Sequence, residues 1–540
     1  MRDRFKPTEP SSENVVEVRV GFSSTKDVVE ITVNGSLCWF GYVYATQDDP
    51  AAALIPGRNL FREVGTDRAI SFAMELLRDC NEHHSDCQPP PDPSPLLPTR
   101  VIDCTDPSRP HLVTTDARRD RYVALSYVWG EGQPHKTTKA NIVSYHSFID
   151  PATLPSTILD AINVTHRLGL PYLWIDSLCI IQDSDEDKDH ELTRMRNVYT
   201  DAYVTIIAAS ATRVSEGFLQ PRTDTLGPAA VALPFLLPDA LGEIHLSSWL
   251  ITTPKYEPSS EPLHTRGWCM QEYFLSPREL IFASHTLQYR CRISTRNIAG
   301  ANNPWWISSA RDPPPFSGLP RPPKTRKEIE DVRGAWKAVV ENYIKRGLSR
   351  SDDKLVALAS LAEEFHDVVQ APYLAGLWRS TILPDMLWSK DRAHHFTPRP
   401  KSYRAPSWSW AALDGPINPG NAYFLSDDEH VIAEVVKCET VLKKPNLPFG
   451  EVVAGSLVIR ARVVIDCTMM VHWTVFRLRS LDEHGPQDEM IDEETGKRMQ
   501  DIGQCQLDSG DEDITTAATK TSRLVFVGCL LCLYIRVWTR

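Results

Sequence analysis

Two carboxylates in this chain sit where chemistry is easiest to build. Asp176 closes the apolar run Tyr172-Leu-Trp-Ile, the position from which open α/β sheets present ligand-binding groups. A carboxylate there can bind hydroxyls or act as a base. Equally, it can cap the following turn through the Ser177 or Leu178 amide. Glu272 follows Trp268 at i+4, so on a helix the two share a face. An indole beside a carboxylate desolvates it and raises its pKa, or walls a ring-binding cleft. The alternative is a core anchor at Trp268, with Glu272 paired to Arg266 or Arg278. Ser126, Tyr127 and Trp129 lie where the apolar run Tyr122–Tyr127 enters a loop. They could line a substrate cleft there, or Trp129 could pack over a sheet edge.

Other reactive side chains carry weaker patterns. Cys179 is flanked by aliphatic residues, which favours an inert buried thiol over a nucleophile. Cys80, His83, His84 and Cys87 form a Cys-x2-His-His-x2-Cys cluster. A single loop would have to supply every ligand, and adjacent histidines cannot easily face one tetrahedral ion. Packed cysteines at a helix end are therefore preferred, and no metal is expected. The acidic run Asp183–Asp189 lacks fixed ligand spacing and reads as a solvated helix start. Trp408 and Trp410 would share a face on a strand, with core packing as the default.

Three blocks rich in rare residues carry these candidates: Tyr122-Val-Ala-Leu-Ser-Tyr-Val-Trp-Gly130, Tyr172-Leu-Trp-Ile-Asp-Ser-Leu-Cys-Ile-Ile-Gln182 and Arg266-Gly-Trp-Cys-Met-Gln-Glu272. Together they resemble the signature blocks of the HET (heterokaryon incompatibility) domain of filamentous fungi. The intervening Leu154–Ile162, Tyr203–Ala209 and Leu275–Arg278 segments fit the same order. Pro98-Thr-Arg100, Tyr373–Trp378 and Arg404–Trp410 are similar to segments that flank many such domains. The His-and-Cys stretch ahead of Pro98 is also common there. The resemblance covers roughly residues 75–420. It implies a cytoplasmic fungal protein of non-self recognition whose HET domain triggers regulated cell death. HET domains further look like distant relatives of the TIR (Toll/interleukin-1 receptor) fold, some members of which cleave NAD with one Glu shortly after a Trp-Cys pair. Trp268-Cys269-x-x-Glu272 is similar to that pattern. The comparison implies NAD as substrate rather than cofactor, with Glu272 and Asp176 as catalytic candidates. Ser126, Tyr127, Trp129 and Trp268 would then bind substrate, and the two carboxylates would converge on one cleft. A non-enzymatic scaffold acting through protein–protein assembly remains open beside it.

These residues need a frame. Strand-like runs at 122–127, 172–176 and 203–209 alternate with helical patterns at Ser156–Leu168 and Glu186–Tyr199. This predicts an α/β domain with a mostly parallel sheet flanked by helices. Expected strands at Val15–Val20 and Val28–Val33, with Asn34-Gly35 as a turn, form a β-rich lead-in over 1–65. A helix at Ala69–Cys80 and a linker with six prolines between Pro89 and Pro98 occupy 66–99. The HET domain proper is placed at 100–295, with 223–262 as an insert of short strands. A second Pro-rich linker at 296–327 leads into a helical, Trp-rich region at 328–425, with helices at Glu328–Tyr343 and Asp353–Phe365. The β-rich remainder, 426–540, holds strands near Ser456–Val464, an acidic mobile loop at Asp482–Asp513 and an apolar strand at Leu524–Ile535.

Composition narrows the classes. With 42% hydrophobic and 24% charged residues and a net charge of -12, the chain reads as globular. It has no basic cluster with which to neutralise phosphates, so no nucleic-acid partner is expected. The run at Leu524–Ile535 is shorter than the roughly 20 residues that span a bilayer. The first residues lack an apolar signal core, and the twelve scattered cysteines read as reduced thiols. The expected partner is another protein or a second copy.

Overall fold

A computed structural model describes residues 18–22, 28–87, 94–223, 231–248, 258–300, 319, 321–386, 388–390, 400, 402–418, 433–461, 467–472, 475–481 and 499–505. The chain forms two compact units with interleaved segments. The first comprises residues 1–179, 202–263 and 277–308; the second comprises 180–201, 264–276 and 309–540.

The first unit holds two sheets. One is antiparallel, with strand order β1-β2-β3-β10-β9: β1 is Val18–Phe22, β2 Val28–Val33, β3 Ser36–Tyr44, β9 Val231–Leu236 and β10 Leu241–Ser248. Asn34 and Gly35 join β2 to β3, both at positive φ (51° and 78°). That is the geometry a two-residue hairpin requires. The lead-in strands and those of the 223–262 insert thus share one sheet, over a small core of Val43, Ala45, Ala51 and Ile55.

The second sheet has eight strands in the order β13-β12-β11-β8-β6-β7-β4-β5. Its members are β4 (Arg100–Asp103), β5 (His111–Thr114), β6 (Tyr122–Ser126), β7 (Tyr172–Trp174), β8 (Val204–Ile207), β11 (Arg278–Phe282), β12 (Leu287–Cys291) and β13 (Thr295–Asn297). The expected strands β6, β7 and β8 pair in parallel as foreseen, and β11 extends them in parallel. Every residue of β6, β8 and β11 is buried, which is why they read as continuous apolar runs. The expectation of a mostly parallel sheet is corrected at the flanks. There β4–β5, β4–β7, β11–β12 and β12–β13 all pair antiparallel. The β4–β5, β11–β12 and β12–β13 connections are short, three residues in the last case, and return the chain antiparallel; β4 and β7 meet across a long one. The sheet is mixed.

Helix α1 (Asp67–His83) is capped by Thr66, whose hydroxyl accepts from the Ala69 amide at 3.3 Å. It packs on β12 and on α3 (Ser156–Arg167), which in turn lies against β7. Ser156 was the expected cap of α3. It is instead the first helical residue, following Pro155, and makes no capping bond. Short helices α2 (Ile142–Tyr145) and α4 (Asp176–Cys179) complete this unit.

In the second unit the expected helix over 186–199 divides into α5 (Asp185–Leu192) and α6 (Met195–Thr200). Helix α7 is Trp268–Leu275. Helix α8, Arg326–Tyr343, opens on a Thr325/Glu328 capping box, each side chain bonding the other's backbone amide. The pattern over 353–365 becomes two single turns followed by α9, Ala359–Val369. Trp336 and Trp410 both donate to the Gly376 carbonyl at 3.1 Å. Gly376 has φ +100°, and an added Cβ would lie 2.7 Å from the Trp410 ring. Trp408 and Trp410 are core residues, as the default held, but on a turn rather than a strand. Strands 433–442 and 452–461 form a hairpin, and 467–472, 475–481 and 499–505 a small sheet. The last strand interrupts the expected acidic loop at 482–513. The rest of that loop, and the expected strand at 524–535, lie outside the described residues. Among the described residues no helix is long and apolar enough to cross a membrane.

Candidate functional site

In the parallel core β6 and β7 end side by side, and the loops that leave them are tied to one another. Trp129 Nε1 donates to Asp176 Oδ2 at 2.9 Å, and the Ser177 amide donates to Asp176 Oδ1 at 2.6 Å. Below them the Tyr127 hydroxyl donates to Ser177 Oγ at 2.9 Å and lies 3.2 Å from the Gln133 amide group. Burial first, then the charge of Asp176, pushes the Tyr127 phenol well above its ordinary pKa. It stays a neutral donor. Trp129 and Asp176 keep partial exposure, whereas Ser126 and Tyr127 are buried.

Further residues lock this corner. Arg100, from the Pro-Thr-Arg segment, is buried and donates through Nε to the Cys179 carbonyl at 2.7 Å. Thr137 bonds the Ser177 carbonyl through its amide at 3.0 Å and the Leu178 carbonyl through its hydroxyl at 2.6 Å. Gly130 has φ +67°, and a Cβ there would meet the Thr212 carbonyl oxygen at 2.5 Å. Only glycine lets the loop after β6 approach the loop after β8 so closely. Cys179 is buried, and its sulfur accepts from the Ile175 amide at 3.4 Å, the arrangement of a packed thiol.

A second polar group lies beyond β8 and β11. Glu261 is buried and accepts from the Ser284 amide and hydroxyl, both at 2.8 Å. Asp160, on α3, accepts from the Phe218 and Leu219 amides. Burial lowers the Arg222 guanidinium to about 10, against the raising effect of Glu261 and Asp160. Burial, then the charge of Arg222, holds His285 down to about 3, so it is neutral. No motif of ordinary type marked these residues, which come from four separate segments.

Trp268 and Glu272 belong to the second compact unit, on α7. The helix places them one turn apart, as their spacing required. Trp268 is half-buried and its Nε1 lies 3.4 Å from Asp353 Oδ2. Glu272 is only 8% exposed, so its carboxylate is buried rather than on the surface. Beside it Gln271 is 1% exposed, and among the described residues neither its amide nitrogen nor its oxygen has a hydrogen-bond partner. A buried primary amide left so costs about 1–3 kcal/mol per unsatisfied group. The residue stands inside the third sequence block, yet a glutamine between Met270 and Glu272 carries no spacing signal of its own.

Residues 122–272 match the family model described as Heterokaryon incompatibility protein (HET). The match begins at the first residue of β6, ends on Glu272 and takes in segments of both compact units. The chain is also similar to heterokaryon incompatibility protein 6, OR allele, of Neurospora crassa. The two are 33% identical over 93 residues, 16% of this chain and 14% of that protein. The similarity thus spans a small part of the relative's length. No solved structure matches the chain.

Proposed function

From the premise that this chain is a HET domain-containing protein, we propose that it acts in the cytoplasm of a fungus in non-self recognition. Its HET domain would trigger regulated cell death by hydrolysing NAD. Glu272 has the chemical role in this reading. Nicotinamide leaves an oxocarbenium-like ribose, and a carboxylate stabilises the developing positive charge. Asp176 is a positioning residue: both of its oxygens accept bonds, and those bonds hold Trp129 and the turn at Ser177.

The observation that carries the reading is the pair Gln271–Glu272. A buried carboxylate and a buried, unpartnered amide adjoin on one helix at the end of the matched region. Buried polar groups are retained where they have work, because apolar replacements cost less. A bound ribose, rich in hydroxyls, supplies the donors and acceptors that the Gln271 amide lacks. The test is nicotinamide release from NAD by the purified full chain, beside Glu272→Gln. Turnover that vanishes in folded Glu272→Gln supports the reading; equal turnover, or none in the parent protein, overturns it.

One observation favours assembly instead. The Asp176 carboxylate, at the strand end where a ligand-binding group is expected, is engaged with Trp129 and Ser177. Under that reading the HET domain signals by binding a partner protein or a second copy. Cell killing then survives Glu272→Gln.

A further inference from the structure

The C-terminal end of α1 supplies a site that the three sequence blocks do not include. Cys80 lies in the last turn of the helix and His84 is its cap residue, with φ -103° and ψ 99°. The chain breaks from helical geometry there and enters the single turn Ser85–Cys87. The two adjacent histidines therefore diverge. His83 is exposed, with Nδ1 3.0 Å from Asp79 Oδ1. His84 turns toward Cys80 and Cys87. The fourth member comes from a remote part of the sequence: Cys291, at the end of β12, has its sulfur 3.5 Å from His84 Nδ1. One ligand atom from each of Cys80, His84, Cys87 and Cys291 lies within 4.8 Å of all the others.

We propose that Cys80, His84, Cys87 and Cys291 bind a structural zinc ion that fastens the end of α1 to strand β12. Zinc–sulfur bonds of about 2.3 Å and zinc–nitrogen bonds of about 2.0 Å give a tetrahedron with edges of roughly 3.5–3.8 Å. The His84–Cys291 separation is such an edge, and the others need only a small contraction. Three sulfurs and one imidazole are a closed set with no position left for water or substrate, which marks a structural site. The donor set also selects the metal: thiolate-rich tetrahedral sites suit zinc, whereas oxygen-seeking magnesium and calcium do not bind thiols.

The surroundings are those of thiolates. The Ile293 and Ser294 amides and the Ser294 hydroxyl face the Cys291 sulfur, and the Arg292 amide faces that of Cys87. Ser294 Oγ is 3.6 Å from Cys291 Sγ. The tight turn between β12 and β13 therefore aims successive N–H groups at two sulfurs, as outer-shell donors do around ligating thiolates. Tyr289 is 2% exposed, and its hydroxyl has no oxygen or nitrogen partner among the described residues but interacts with Cys80. A thiolate there gives that buried phenol an acceptor. The ion would close a loop from α1 to β12, and Arg278 reinforces it by donating to the Cys87 carbonyl.

The experiment is metal analysis of the full chain, purified without added metal or chelator. About one zinc per chain is expected. Cys291→Ser and His84→Ala should each fall below about one-tenth of an equivalent, because three ligands hold the ion far more weakly. His83→Ala and Cys438→Ser should keep the full amount. If the ligand variants do not fold, the parent protein decides: cobalt exchanged for zinc should give the absorption of a tetrahedral, thiolate-bound ion. Metal-free parent protein that takes up no cobalt overturns the proposal. So do a disulfide among Cys80, Cys87 and Cys291 in the isolated protein and full zinc retention by folded Cys291→Ser.

Discussion

The two candidate carboxylates differ in what surrounds them, and the difference separates the roles proposed for them. Asp176 is partly exposed at the end of β7, with one oxygen on the Trp129 indole and the other on the Ser177 amide. Its neighbours Tyr127, Thr137 and Arg100 are themselves bonded to the α4 segment. Such a corner holds loops in place. Glu272 is buried mid-helix beside an amide whose hydrogen-bonding capacity is unused. A buried primary amide left so is costly to stability, and the proposed reading gives it a ligand to bond. Both residues fall in blocks of similar composition, so burial and neighbouring groups, not residue type, tell them apart.

Substitutions can break or sharpen this contrast. The largest effect should come from Glu272→Gln. It should lower nicotinamide release at least about 100-fold, roughly 2.7 kcal/mol of barrier, with little change in the unfolding midpoint. An equally large loss from Asp176→Asn, without loss of stability, would break the comparison. Next is Gly130→Ala, which should cost roughly 2–3 kcal/mol in denaturant unfolding. The new Cβ must accept a left-handed backbone and a clash with the Thr212 carbonyl.

A pH effect follows in size. His285 is held near 3 in the folded chain by burial, below its ordinary value of 6.5. The unfolded chain takes up that proton first, so this contribution is complete above pH 6.5 and declines as pH falls toward 3. The loss relative to neutral pH should amount to about 2 kcal/mol at pH 5. Unfolding of His285→Gln across this window should lack that slope. The smallest effect should be that of Asp176→Asn on stability. Asparagine has one acceptor oxygen where aspartate has two, so either Trp129 or Ser177 loses its partner. A cost of about 1–2 kcal/mol is expected, with a shift in Trp129 fluorescence and nicotinamide release changed by less than about tenfold.

Local periodicity carried much of the fold. The apolar runs at 122–127, 172–176 and 203–209 became β6, β7 and β8 because strands buried on both faces need apolar residues at every position. Asn34-Gly35 formed its turn, and the helices over 67–83, 156–167 and 326–343 appeared where apolar spacing placed them. The division of 185–200 into two helices and of 351–369 into turns and a helix was not legible. Periodicity reports a buried face and is blind to a local break in the hydrogen-bond ladder. The antiparallel flanks were missed for a similar reason: strand order is decided by which distant edges meet.

By itself, then, the sequence determined the three blocks and the placement of Asp176 at a strand end. It also put Trp268 and Glu272 on one helical face, since these are properties of neighbours along the chain. Tertiary structure decided that Trp129 bonds Asp176 across 47 positions, and that the lead-in shares a sheet with strands some 200 residues later. It also brought Cys291 to His84 across 207. The sequence alone showed the Cys-His run as one loop, because Cys291 lies far outside it. Helix and strand preferences are set within a few residues by sterics and burial, whereas partners far apart in sequence meet only when the sheet closes between them.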